Sequence, residues 1–322
     1  MNNIHLAKDA FGFIKENPSS FVMIGDFTGF FDKLDHQYLK VQWCKLLGVE
    51  ELPADHYTVY KNITRYSTWE LNDLLKLNGL PETRSGKRSL NAMTTVLTKE
   101  QFREHRSHIV KNNNGFGIPQ GSPISALLAN VYMMDVDQQI KLLVDQHKGK
   151  YMRYSDDFII ILPVEDIIAK AVIESVNDII HTTPGLELEP GKTQIYKVNL
   201  PDIMNVGTDF LEKADTSKNT INFLGFMFDG RKITLRGKTV SKYYYRMYRK
   251  AHTVAGRTSQ RSKKALYEKY SERGAWTDKN HKGNFLTYVD RAERIFGDEE
   301  EIKRPVKRHM AKIKKALEKY VG

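Results

Sequence analysis

The chain has a single cysteine, Cys44, among its 322 residues. No disulfide can close within it, and no thiolate set for zinc exists. Cys44 lies in the helical pattern Val41-Gln42-Trp43-Cys44-Lys45-Leu46-Leu47 and reads as a buried, inert thiol. Such thiol usage fits a reducing compartment, so a cytoplasmic location is expected. His105 and His108 stand three apart on an expected helix without further ligands, and read as a solvated face. No apolar run approaches the roughly 18 residues of a membrane span, and the N-terminus lacks the pattern of a signal peptide. Repeats and low-complexity tracts are also missing. What the chain does have is positive charge, +11 net. Residues 231–322 hold 26 Lys and Arg against 10 Asp and Glu, so this region carries +16 and the rest carries −5. A polyanionic partner for the C-terminal part follows. The length suffices for a large core in two domains, and 40% hydrophobic residues mark a globular chain.

The most informative residues are Tyr154-Ser155-Asp156-Asp157. They separate two strand-like runs, Lys150-Tyr151-Met152-Arg153 and Phe158-Ile159-Ile160-Ile161-Leu162. A tight turn there holds two carboxylates side by side, an arrangement that repels and that folding alone does not need. A hard divalent cation makes such a pair tolerable, although a solvated turn remains open. A second acidic segment is Phe21-Val22-Met23-Ile24-Gly25-Asp26, an apolar strand ending in an aspartate. Three carboxylates at strand ends suit a two-metal site for phosphoryl transfer. Gly117-Ile118-Pro119-Gln120-Gly121-Ser122-Pro123-Ile124-Ser125 is a Gly/Pro loop that opens a helix, where glycine permits close backbone approach and free N–H groups face a ligand.

The order of Asp26 at a strand end, Gly-Ile-Pro-Gln-Gly-Ser-Pro-x-Ser and Tyr-x-Asp-Asp resembles the palm of reverse transcriptases, in the flavour of retrons, group II intron proteins and bacterial antiviral-defence enzymes. Leu186-Glu187-Leu188-Glu189-Pro190-Gly191-Lys192-Thr193 is similar to the family's loop carrying a lysine near pyrophosphate. Ile221-Asn222-Phe223-Leu224-Gly225-Phe226 is similar to its primer-grip hairpin. The resemblance spans about residues 15 to 235. It implies an α+β fold: a polymerase palm, with a ferredoxin-like antiparallel sheet backed by helices, followed by an α-helical thumb. Residues 1–235 are then palm with a partial fingers remnant, and 236–322 the basic helical thumb. The implied activity is RNA-directed DNA polymerisation in a retron-like or antiphage setting. The implied cofactor is Mg²⁺, with Mn²⁺ as a substitute. Asp26 and Asp156 bridge the ions, Asp157 completes the site, and Lys192 neutralises the leaving group. Gln120 and Gly121 position nucleotide and template. Phe31, five residues after Asp26, excludes a ribose 2′-hydroxyl and favours deoxynucleotides. Phe30 faces the core.

The implied partners are an RNA template, a DNA or RNA primer and dNTPs, with no membrane. Family members carry about a hundred residues of fingers before the first aspartate strand, and only about 20 precede Phe21 here. A fingers-supplying protein or a non-coding RNA is therefore an expected partner, and Arg84, Lys87 and Arg88 are candidate substitutes. Two other readings stay open: a polymerase that adds nucleotides without a template or to a protein primer, and a nucleic-acid-binding subunit without catalysis. Lys242-Tyr243-Tyr244-Tyr245-Arg246-Met247-Tyr248-Arg249-Lys250 interleaves cations and aromatics, which suits phosphate pairing and stacking. Arg246, Arg249 and Lys250 are its candidate phosphate contacts, and a thumb helix with partly buried tyrosines is the plainer alternative. Among local elements, a helix over 3–18 is expected. Asp32 is expected to cap a helix running to about Leu47, and Leu80–Arg88 to form an exposed basic loop.

Overall fold

The structure is a computed structural model. It describes residues 2–319 apart from 213, 215, 217, 256–259, 278–281 and 298–300. The chain divides into two compact units. The first comprises Met1–Asp26, Ile140–Asp178 and Leu188–Gly322, the second Phe27–Gln139 and Ile179–Glu187.

The first unit is built on a five-stranded antiparallel sheet. Its strands are β1 (Ser19–Gly25), β2 (Lys150–Tyr154), β3 (Asp157–Leu162), β4 (Gln194–Asn199) and β5 (Asp202–Asn205), in the order β2-β3-β1-β4-β5. The central strand β1 buries every residue after Ser19, which explains its unbroken apolar run. Its register pairs Phe21 with Leu162 and Gly25 with Phe158 on one side, and Ser19 with Asn199 and Ile24 with Gln194 on the other. The helix Asn3–Glu16 buries Ile4, Ala7, Phe11 and Ile14, one stripe at helical spacing, and the Asn2 side chain caps it by accepting from the backbone N–H of Ile4 and His5.

Strands β6 (Ile221–Phe223), β7 (Phe226–Phe228) and β8 (Ile233–Leu235) form a second antiparallel sheet. Leu224 and Gly225, both at positive φ (48° and 93°), make the two-residue turn between β6 and β7 that matches strand twist. Among the described residues the α-helices Gly237–Ala255, Gln260–Tyr270, Phe285–Phe296 and His309–Lys319 follow. Their apolar faces join the sheets and the N-terminal helix in one cluster that includes Phe11, Val22, Ile159, Phe226, Phe228, Met247, Val289 and Ile313. Phe226 stands 4.9 Å from Phe296, ring centre to ring centre, and Phe11 5.7 Å from Phe228.

The second unit is mostly short helices, among them His36–Leu47, Ala54–Thr64, Leu71–Leu77, Arg84–Asn91 and Ser125–Tyr132, with a two-residue ladder between Ser67–Thr68 and Val110–Lys111. Tyr132 ties it together. Its ring packs 4.7 Å from Tyr38, its hydroxyl accepts from the Asp35 N–H at 3.1 Å and it donates to the Pro184 carbonyl.

Two expectations are corrected here. Asp32 does not cap the long helix. It sits in the four-residue helix Phe30–Lys33, which Gly29 opens at φ 58°, and the cap is Asp35, whose carboxylate accepts from Tyr38 N–H at 2.7 Å. The basic stretch expected as a loop is partly helical. Thr83 caps the helix Arg84–Asn91, and Gly86 lies so close to Pro81 that an added Cβ would meet its carbonyl oxygen at 1.9 Å. Among the described residues no helix is long and apolar enough to cross a membrane.

Candidate active site

Strands β2 and β3 close through Ser155 and Asp156, with Tyr154 opposite Asp157. Ser155 adopts φ 61°, a left-handed conformation that is costly for a residue with a Cβ. The Arg153 guanidinium donates to the Ser155 carbonyl at 2.8 Å and fixes the turn. Gly25 pairs with Phe158, so the next residues on the two strands are Asp26 and Asp157. The register of β1 against β3 thus aims a third carboxylate at the hairpin tip. A Cβ on Gly25 would lie 2.3 Å from the end of the Phe158 ring, which accounts for glycine immediately before the aspartate.

The loop before β4 supplies the countercharge. Pro190–Lys192 forms one 3₁₀ turn, the Glu189 N–H donates to the Asp26 carbonyl at 2.8 Å, and Lys192 Nζ reaches Asp26 Oδ2 at 2.7 Å. This bond and the negative charge behind it raise the Lys192 ammonium above its ordinary value. Asp157 is pushed up to about 6, first by desolvation, then by the neighbouring Asp156 and Asp26 carboxylates, with Arg236 and Lys192 pulling the other way. The Asp157 residue is solvent-accessible overall, yet the surrounding protein still disfavours its charged form.

Asp26, Asp157 and Lys192 line an open cleft of about 590 Å³ together with Gln194, Lys218, Asn222, Arg236 and Lys238. Of these last five, Asn222 lies in the hairpin already likened to a primer grip, and sequence reasoning missed the other four. Arg236 and Lys238 follow β8 and reach the cleft because the second sheet folds back, a long-range event that leaves no local pattern. The Arg236 N–H is held by the Gly225 carbonyl at 2.9 Å, so the β6–β7 turn places it. Carboxylates and cations sharing one cleft suit a ligand that carries phosphates and a divalent cation at once.

Three aspartates offer only hard oxygen donors, the ligand type Mg²⁺ prefers. Their mutual repulsion, visible in Asp157, is what a cation relieves, so the donor set fits. As they stand, no three His, Cys, Asp or Glu side chains among the described residues are grouped to hold a metal ion, and Asp26 is bonded to Lys192.

Residues 8–228 match the reverse transcriptase (RNA-dependent DNA polymerase) family. The chain belongs to that family. No curated protein matches it. Among solved structures, telomerase from Candida albicans in complex with a fragment of telomeric RNA is 15% identical, with 98% of this chain and 43% of that chain covered and a TM-score of 0.42. Telomerase from Candida tropicalis in complex with such a fragment is likewise 15% identical, with coverage of 100% and 51% and a TM-score of 0.41. Likenesses at this level carry no functional weight. The chain spans about half the length of these solved chains or less.

Phe31, Gln120 and Gly121 belong to the second unit. Phe30 is buried and stacks on Phe27 with ring centres 5.4 Å apart, while Phe31 is half-buried edge-on to Phe30, and Ile118 N–H donates to the Phe31 carbonyl at 2.9 Å. The separation of the two rings arises from a helical turn and not from strand alternation. Gln120 and Gly121 are exposed, and Gly121 has φ 90° with open space around it. On the helix Gly237–Ala255, Tyr243 and Tyr244 are buried, Arg246 and Arg249 are exposed, and Lys250 is half-buried. Arg249 lies over the exposed Tyr245 ring at 5.6 Å.

Proposed function

We propose that the chain is an RNA-directed DNA polymerase of a bacterial retron-like or antiphage type, with residues 1–235 as palm and 236–322 as thumb. The observation that carries this is the pairing of β1 with β3, which aims Asp26 and Asp157 at one cleft beside Asp156. Asp26, Asp156 and Asp157 would hold Mg²⁺ or Mn²⁺. When bound, two ions lower the pKa of a primer 3′-hydroxyl and neutralise a triphosphate. The chain's own cations serve the same end. Lys192 leaves Asp26 to meet the departing pyrophosphate, and Arg236, Lys218 and Lys238 draw phosphates into the cleft. Phe31 sets the preference for dNTPs, and Gln120 and Gly121 position nucleotide and template. The partners are an RNA template and a primer, with a non-coding RNA or a fingers-supplying protein as a further partner.

The bond between Lys192 and Asp26 favours a second reading, a nucleic-acid-binding subunit that does not turn over. Extension of a labelled primer on an RNA template with one dNTP at a time decides between them. Incorporation of the nucleotide complementary to the template base supports the polymerase. Incorporation regardless of template means untemplated addition, and no incorporation with tight RNA binding means a binding subunit.

A further inference from the structure

The helices His36–Leu47, Ala54–Thr64 and Ser125–Tyr132 enclose an open groove of about 350 Å³ within the second unit. Its lining is apolar apart from Asp55 and His56. Ile124, Leu127, Leu128 and Val131 fall at i, i+3, i+4 and i+7, a single stripe along one side of the helix Ser125–Tyr132. Leu128 and Val131 are buried, and so is Trp43 on the facing helix. The Trp43 indole N–H donates to His56 Nδ1 at 3.1 Å, so the indole presents only its apolar surface to the groove. The rim is different. Leu127 is 60% exposed and Leu46 53%, and Leu47 and Val59 are exposed beside them. A lone exposed leucine needs no explanation, but four such side chains around one groove mark an interaction surface.

Charge decides what fits there. No Lys or Arg lines the groove. Glu50 and Glu51 are exposed in the connection between two of its helices, and Asp55 stands on its wall. None of the three forms an ion pair among the described residues. Lys45, next to Leu46, is held by Asp135 at 2.7 Å. An apolar groove with an acidic rim repels nucleic acid and anionic lipid. A second copy docked face to face would set Glu50, Glu51 and Asp55 against their own counterparts. The surface suits an amphipathic helix with apolar side chains at i, i+3, i+4 and i+7 and Lys or Arg along its flank.

We propose that this groove docks a basic amphipathic helix of a protein partner. The apolar side chains of that helix lie among Trp43, Leu46, Val59 and Leu127, and its cations meet Glu50, Glu51 and Asp55. The inference goes beyond the proposed function and does not depend on catalysis, because no residue of the carboxylate cleft lines the groove.

The test selects binders of the full chain from a phage-displayed library of helical peptides of about 15 residues or more, long enough to hold a helix. Selected peptides should carry the apolar repeat and a basic flank. The tightest of them, labelled with fluorescein, is the probe for anisotropy. Leu127→Glu should weaken it about ten- to a hundredfold, the worth of one buried leucine side chain. Wild-type binding should weaken with salt, and Glu50→Lys with Glu51→Lys should remove that dependence. Selected peptides that are acidic, that lack the apolar repeat or that bind Leu127→Glu as tightly as wild type overturn the proposal, and so does a library without binders. Sedimentation velocity tests the other occupant. Wild type and Leu127→Glu should sediment alike, and a wild-type dimer that Leu127→Glu dissociates would make the groove a contact between copies and overturn the proposal. If Leu127→Glu melts below wild type, Leu46→Glu, at another exposed position, replaces it with the same outcomes.

Discussion

Asp157 is the carboxylate of the cleft whose ionisation the fold clearly alters, and the direction can be tested without any catalysis. Its folded-state value of about 6 lies above the ordinary 3.8. Between those values the folded protein holds a proton that the unfolded chain has released. The associated stability is complete at low pH and is lost as pH rises through about 6. In EDTA, the melting temperature of wild type relative to Asp157→Asn should therefore fall from pH 4 to pH 7. A difference that stays flat or rises means that desolvation and the neighbouring carboxylates do not raise Asp157 as described. Lys192 gives a second residue-scale expectation, because it occupies the Asp26 oxygen that a cation would need. Lys192→Met should lower the Mg²⁺ or Mn²⁺ concentration that half-maximally raises the melting temperature, while slowing nucleotide addition. If the metal midpoint does not move, lysine and metal do not compete for Asp26. Phe31→Ala should raise ribonucleotide incorporation relative to dNTP, and an unchanged ratio in primer extension makes Phe31 a packing residue beside Phe30.

At the scale of elements, the pairing of β1 with β3 is what the site depends on. Gly25→Ala forces a methyl into the Phe158 ring, and overpacking of this kind costs about 1–3 kcal/mol. A chemical-denaturation midpoint at the wild-type value would show that Phe158 can move aside and that the glycine is not required for register. These strands were legible in the sequence because they are continuous apolar runs, β1 followed by Asp26 and β3 opened by Asp157. The β2–β3 hairpin was legible because Ser-Asp is a turn pair between such runs, whereas the β6–β7 hairpin was expected only from the resemblance of Ile221–Phe226 to a primer grip, since Leu224 at φ 48° carries no turn signal of its own. The start of the helix His36–Leu47 was not legible. Asp32 and Asp35 are chemically identical caps, and the left-handed Gly29, which inserts an extra turn at Phe30–Lys33, decides between them. The helix Arg84–Asn91 was masked by Pro81 and Gly86, whose glycine reflects a close approach to the Pro81 backbone and not a turn. Arg236 and Lys238 gave no signal at all, since only the folding of β6–β8 brings them to the cleft.

For the molecule as a whole, the +16 of residues 231–322 should govern association with nucleic acid. Neutralising Arg246, Arg249 and Lys250 together should flatten the slope of log affinity against log salt by about two to three units on an RNA–DNA hybrid, if each meets a phosphate. A wild-type slope would leave the exposed Arg246 and the Arg249–Tyr245 pair as surface features without a phosphate contact. The central claim is that one acidic cleft in this reverse transcriptase family member performs metal-dependent nucleotidyl transfer. Single-nucleotide addition to an RNA-templated primer, with Mg²⁺, by wild type, Asp156→Asn and Asp157→Asn tests it most directly. Wild type should add the complementary dNTP only with a divalent cation present. Each variant should be slower by about a hundredfold or more, the scale seen when one electrostatic group is removed from an active site, with a melting temperature no lower than wild type. Addition at the wild-type rate by either variant would contradict the assignment.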